Sequence, residues 1–184
     1  MKQVSCKIYR GGTSKGIVLD ESLLPPPGRE RDAVLLALIG GPDAKQVDGL
    51  GGAVTTTSKV AIIRPSNRPG IDVDYTFAQV VVGKDKVDYR ANCGNMSSTV
   101  GPFAIEQGWV HPQKESTVVR IFNTNTEKVI VAHIPTDGKS VVYEGDYQIS
   151  GVQRTGSRIT LEFIQPQLKR TALSLPFCIC LCRM

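Results

Sequence analysis

A chain of 184 residues, 41% hydrophobic and 21% charged, is long enough to bury a core without disulfide or metal staples, and its composition excludes disorder, collagen-like and coiled-coil classes. Aromatics are sparse at 6%, whereas 18 Gly and 11 Pro suit a turn-rich β or mixed α and β protein. The net charge of +5 is uneven: residues 1–150 carry 17 Lys+Arg against 16 Asp+Glu, and residues 151–184 carry 5 against 1. The body of the chain therefore has no basic stripe interleaved with stacking aromatics, and nucleic acid is not an expected partner.

Residues 4–9 and 16–19 read as two strands joined by the tight segment Arg10-Gly11-Gly12-Thr13-Ser14-Lys15. After the breaker Pro25-Pro26-Pro27-Gly28, residues 29–39 read as a helix with Ala33, Leu36 and Ala37 on one stripe and Leu35, Leu38 and Ile39 beside it, stopped by Gly40-Gly41. Residues 41–57 are glycine-rich and longer than an ordinary connection, so they form a candidate functional loop. Residues 59–63 and 73–82 are rich in β-branched residues and read as strands, the second alternating through Val73, Tyr75 and Phe77. Asn92-Cys93-Gly94-Asn95 is a turn that opens a buried helix over residues 96–107. Residues 117–123 and 128–134 form a hairpin, and residues 158–165 one further strand. Mostly strands with two helices means mixed α+β, not a doubly wound sheet.

From Pro166 onward the sequence shows neither strand nor helix period and carries cysteines at 178, 180 and 182. The expected division is a domain over residues 1–165 and an atypical tail over residues 166–184, as from a truncated or frame-shifted gene. The start of the chain has no apolar run behind its basic residues, and the longest strongly apolar stretch, residues 33–39, is far too short to span a membrane. With five cysteines, an odd number, the expectation is a cytoplasmic protein with free thiols and no membrane partner.

Three segments carry chemistry. A cysteine at the opening of a helix, as Cys93 is read, sees the positive end of the peptide dipoles and unpaired backbone N–H groups, which favour the thiolate. Gly94 permits close backbone approach, so the same turn could bind a carboxylate and exchange a proton with it. The plain alternative is that Cys93 is a small buried hydrophobe. Lys59 stands immediately before an apolar strand run, where desolvation can turn a lysine into a usable base; otherwise it is a strand-end lysine in water. The segment from Arg10 to Gly16 has two glycines at Walker spacing, but Ile17 and Val18 follow where Lys and Ser/Thr are needed, so it is not a phosphate loop. It remains either a carboxylate-binding bend with hydroxyls and cations or an ordinary glycine hairpin. His111 and His133 lack ligand spacing, and the Cys178, Cys180, Cys182 pattern lacks a partner pair, so no metal site is expected.

Taken together, RGGTSKG, GGPDAKQVDGLGG, TSKVAII, DVDYTFAQV and NCGNMSSTVGPFAIEQGWV, in this order and spacing, resemble the PrpF family over residues 5–165, as the N-terminal of that family's two similar halves. The resemblance implies a half with the fold of diaminopimelate epimerase, a mixed, mostly antiparallel sheet wrapped around a buried helix. It also implies a cofactor-independent isomerase that moves a proton and a C=C bond in a small unsaturated di- or tricarboxylic acid, such as 2-methylaconitate or oxalomesaconate. By resemblance the catalytic pair is Lys59 and Cys93, with substrate held around Arg10, Gly12, Thr13, Ser14, Asn92, Gly94, Asn95 and Met96. Two competing readings are an inactive half that keeps only a carboxylate-binding surface and self-associates through its exposed side, and a thiol or metal protein built on the cysteine-rich tail.

Overall fold

The structure, a computed structural model, describes residues 3–164 in full and, beyond them, the backbone of Phe177–Arg183. In chain order the elements are β1 (Lys7–Gly11), β2 (Ser14–Asp20), α1 (Arg29–Ile39), β3 (Lys59–Pro65), β4 (Val73–Val80), β5 (Val87–Asp88), α2 (Gly94–Ser97), α3 (Val100–Glu106), β6 (Lys114–Asn123), β7 (Lys128–Asp137), β8 (Ser157–Ile164) and β9 (Phe177–Arg183).

The strands follow one another laterally as β3-β2-β1-β9-β8-β7-β6-β4, and β4 also pairs with β3, so the pairings close on themselves. The short β5 extends the edge of β4. Only β2–β3 and β4–β6 are parallel. Inside the ring lies α3, buried from Val100 through Ile105. Closing the ring pairs β3 with β4 instead of leaving two long open edges, and its inward face needs an apolar filler, which this helix provides.

Strand alternation sorts side chains into two layers. Ala61 and Ile63 of β3, Val73, Tyr75 and Phe77 of β4 and Val119 and Ile121 of β6 face inward onto Met96, Val100 and Phe103. Val60 and Ile62, with Ile17 and Leu19 of β2, face outward onto Leu35 and Ile39 of α1. The close fit is visible at Gly101, where a Cβ would approach Ile134 within 2.8 Å. Small residues on this face let β7 pack directly on the helix.

The far end of α3 is pinned by charge. Glu106 Oε2 accepts from Lys7 Nζ at 2.6 Å and from Tyr9 Oη at 2.8 Å, and its Oε1 accepts from Tyr143 Oη at 2.6 Å. Three donors from separate segments thus fix the helix against the ring.

The expected α+β class and the sheet wrapped around a buried helix are what the structure has. The helix at Arg29–Ile39 has the expected bounds, and Gly40 closes it in the left-handed conformation at φ 93°. Its buried side is only partly the expected one: Leu35 and Ile39 face inward as read, and the alanines do not. Arg31, Leu35 and Ile39 are buried, whereas Ala33 and Ala37 are exposed. Arg31 can turn inward because Glu21 Oε1 and Pro25 O receive its guanidinium at 2.7 Å each. The helix expected over residues 96–107 is two pieces, broken at Ser98-Thr99. β1 and β2 run further into the bend than expected, leaving a turn at Gly12-Thr13 with Gly12 at φ 55°. β5 and β9 had no counterpart in the sequence reading. β9 pairs with β1 and β8; its sequence alternates cysteine with Phe177, Ile179 and Leu181, but both sets are apolar, so no polar face marks it as a strand. The side chains of Cys178, Cys180 and Cys182, and residues 165–176, lie outside the described part.

Candidate active site

The site forms where α2 opens into the ring. Cys93 is the residue before its first turn, in extended conformation, and the first helical bond runs from Ser97 N to Cys93 O at 3.0 Å. The amides of Gly94, Asn95 and Met96 therefore precede that bond and are the donors an anion would meet. The hydroxyls of Ser97, Ser98 and Thr99 are turned back onto Cys93 O, Asn95 O and Met96 O at 3.1, 2.7 and 2.8 Å, which stiffens the turn.

Asn92 sets the entry angle. Its Oδ1 accepts from Cys93 N at 2.9 Å and from Asn123 Nδ2 at 2.8 Å, tying the turn to the end of β6. The thiol of Cys93 lies 3.9 Å from Ser14 Oγ. Asn95 Nδ2 donates to Thr13 Oγ1 at 2.9 Å and reaches Ser14 Oγ at 3.5 Å. The hairpin bend and the helix opening are thereby one assembly. Glycine is required at the contact: a Cβ on Gly11 would overlap Asn95 O and stand 2.8 Å from Ser98 Oγ. Gly11→Ala is expected to displace the α2 turn and to cost roughly 1–3 kcal/mol of stability, the range for overpacking a tight contact, read by urea unfolding.

Lys59 belongs to the same inner face. It pairs in register with Gly16 of β2 on one side and Gln79 of β4 on the other. Gly16 itself faces α2, since a Cβ there would stand 2.7 Å from Met96 Cε, and Ser14, two residues earlier on the same strand face, touches Cys93. Lys59 is 8% exposed, its Nζ donates to Gln79 Oε1 at 2.8 Å, and it lies 5.2 Å from the centroid of the Phe77 ring. Gln79 is held in turn by donating to Ser58 O at 2.8 Å and Val80 O at 3.1 Å. The long loop before β3 is fastened by Gln46, whose Oε1 accepts from Ala53 N and Ser58 Oγ at 2.8 Å each. So the loop positions the strand that carries Lys59.

Of the residues singled out in the sequence, Thr13, Ser14, Asn92, Cys93, Gly94, Asn95 and Met96 come together, with Gly12 buried at the turn of the bend and Lys59 on the adjoining inner face. Arg10 does not join them. Alternation puts it with Ile8 on the opposite side of β1 from Tyr9 and Gly11, and its Nη1 donates to Gly12 O at 3.0 Å, bracing the bend. Gln79, Tyr75, Asn123 and Phe163, whose ring lies 3.8 Å from where a Gly94 Cβ would stand, escaped the sequence reading. For Tyr75 and Gln79 a signal existed: the alternation of β4 continues from Phe77 to residue 79 opposite Lys59.

The two free cysteines with described side chains differ in setting. Burial pushes the Cys6 thiol up, away from the reactive thiolate. With limiting iodoacetamide, Cys93 is expected to be alkylated before Cys6, read by peptide mapping; preferential labelling of Cys6 would contradict this.

With that geometry in place, comparison with known proteins is decisive. A family model described as PrpF protein matches residues 1–177. The chain belongs to the PrpF family. The match continues past residue 165, where the resemblance read from the sequence stops. The chain is 52% identical over 161 residues to 4-oxalomesaconate tautomerase of Pseudomonas putida, covering 88% of this chain and 45% of that protein. It is 46% identical over 175 residues to 3-methylitaconate isomerase of Eubacterium barkeri, covering 95% and 46% respectively. The crystal structure of a methylitaconate-delta-isomerase superposes with a TM-score of 0.84 at 46% identity, over 86% of this chain and 41% of that one. The chain thus spans about half the length of the curated PrpF relatives it matches.

Proposed function

We propose that this PrpF chain provides the proton-transfer site of an isomerase that shifts a C=C bond in a small unsaturated di- or tricarboxylic acid of the methylaconitate, methylitaconate or oxalomesaconate type. The observation that carries the reading is the convergence of Cys93, Ser14 and Asn95 at the opening of α2, with Lys59 on the adjoining strand of the same inner face. A substrate carboxylate is held by the amides of Gly94, Asn95 and Met96 together with the Thr13, Ser14 and Asn95 side chains. One member of the Lys59–Cys93 pair, in its unprotonated form, removes a proton from a carbon next to a carboxylate or allylic to the double bond. The electron pair delocalises into an extended enolate, and the amides and the remaining cation oppose the developing charge. The other member returns a proton at the far carbon of the allylic system, so the double bond moves while the overall composition is unchanged. No step calls for a cofactor. The free thiols of Cys6 and Cys93 support a cytoplasmic setting for the reaction.

A second reading has an observation in its favour: the chain covers 45% of the tautomerase and 46% of the isomerase. In that reading the 184 residues by themselves retain carboxylate binding and self-associate without turnover. Ultraviolet absorbance with methylitaconate, methylaconitate and oxalomesaconate separates the two, using this chain beside one extended to the length of its relatives. Turnover in the extended form supports the isomerase. Its absence with all three acids, while the acids still bind, would favour the binding reading.

A further inference from the structure

Lys59 stands in a cross-strand row between Gly16 of β2 and Gln79 of β4. Gly16 has no side chain to offer, so within this row Gln79 is the neighbour that can hold the lysine. Its Oε1 accepts from Lys59 Nζ at 2.8 Å. Its Nε2 faces three backbone carbonyls, Ser58 O at 2.8 Å, Val80 O at 3.1 Å and Thr55 O at 3.3 Å. Those acceptors fix which end of the amide is which: turned over, its oxygen would oppose three carbonyls and its N–H groups would oppose the ammonium. Phe77 is one step earlier on the same face of β4, and Lys59 Nζ lies over its ring, 5.2 Å from the centroid. β4 therefore presents to Lys59 an acceptor of fixed polarity and an aromatic face.

We propose that Gln79 is a positioning residue for the isomerisation: it holds Lys59 Nζ in one place, so that the group meets the substrate carbon without a search through the rotamers of a four-carbon stem. This rests on the reading of Lys59 as one of the two proton-exchanging groups. Gln79 exchanges no proton itself and acts through Lys59. A partner that only accepts is suited to the task, because it engages one N–H bond and leaves the rest of Nζ to the substrate. The hold is also tied to the loop before β3, since Thr55 and Ser58, whose carbonyls orient the amide, belong to the segment that Gln46 fastens through Ala53 N and Ser58 Oγ.

The test has two readouts. In the 184-residue chain, acetylation by acetic anhydride at fixed pH is followed by peptide mapping, with Lys7, held by Glu106 at the far end of α3, as the internal standard. Lys59 is expected to react several-fold faster in Gln79→Met, which keeps the length of the side chain and removes the acceptor, and as slowly as wild type in Gln79→Glu, which keeps an acceptor oxygen. Lys7 should react alike in all three. Equal Lys59 rates in wild type and Gln79→Met would overturn the proposal, and so would acceleration at Lys59 and Lys7 together, which marks a structural role. In a chain extended to the length of its relatives, Gln79→Met is expected to lower kcat by about tenfold with KM little changed, and to cost nothing further in a Lys59→Ala background. A loss of the same size in both backgrounds would overturn the proposal, because a residue acting through Lys59 has nothing to position once the lysine is gone. An unmoved acetylation rate beside normal wild-type turnover counts against Gln79 alone, whereas absence of turnover in the extended wild type counts against the isomerase reading.

Discussion

Lys59→Ala and Cys93→Ser, each placed in a chain extended to the length of its relatives, are expected to lower kcat by about a thousandfold, within the range that positioned acid–base groups supply. The double variant should be little worse than either single one. Removing the group that abstracts the proton leaves the group that returns one with nothing to protonate, so the two losses share one pathway and cannot multiply. Lys59 is a demanding position because its ammonium is anchored by Gln79 and lies beside the Phe77 ring. Lys59→Arg keeps the charge but replaces a compact ammonium by a planar fork that does not give up its proton, so it should not rescue activity. Steady-state rates with intact thermal unfolding check this. Multiplicative losses, or an active Lys59→Ala protein, would refute the pairing.

The largest expected effect on stability lies at the C-terminal end of α3. Glu106→Leu would remove the acceptor shared by Lys7, Tyr9 and Tyr143, leaving the buried Tyr9 hydroxyl and the half-buried Lys7 ammonium without it. Breaking such a group from one side costs about 3 kcal/mol, measured by urea unfolding. The pH dependence follows from the same contacts. Burial by itself raises the Glu106 carboxyl, but the hydrogen bonds from Lys7, Tyr143 and Tyr9 outweigh it, and the group ends below its ordinary value. A carboxyl lowered on folding stabilises the folded state above its unfolded pKa, near 4.3, and loses that contribution as the pH falls through the lower folded value. Wild type should therefore exceed Glu106→Gln in melting temperature at neutral pH, with the gap closing as the pH drops below about 4. A gap constant down to strongly acid pH would contradict the assignment.

Much of the site was legible because its signals are local. A cysteine ahead of glycine marks a helix opening, a lysine before an apolar β run marks the end of a strand, and a glycine-rich bend with hydroxyls marks a donor loop. Each needs only a few neighbouring residues. Gly40 likewise fixed the end of α1 without help from the rest of the chain. What escaped depends on partners far away in sequence. Arg31 is buried because Glu21 and Pro25 receive it, which centres the buried face on Leu35 and Ile39 and leaves Ala33 and Ala37 outside it. Arg10 has the charge for a carboxylate but the wrong strand parity. Gln79 matters only because the register of β3 against β4 sets it opposite Lys59. β9 lies between β1 and β8, and its alternation of cysteine with Phe177, Ile179 and Leu181 sets apolar against apolar, so no polar face announces the strand.

The central claim, that two different residues abstract and return the proton, is tested most directly by the fate of the substrate hydrogen. The extended protein is equilibrated in D2O, where the thiol and the ammonium both exchange, and a single turnover of methylitaconate or oxalomesaconate is followed by proton nuclear magnetic resonance. The paired mechanism predicts that the newly protonated carbon carries solvent deuterium from the first turnover, because the group that delivers it never held the abstracted hydrogen. Quantitative transfer of the original hydrogen to the far carbon would show one residue carrying it across, and would contradict the account.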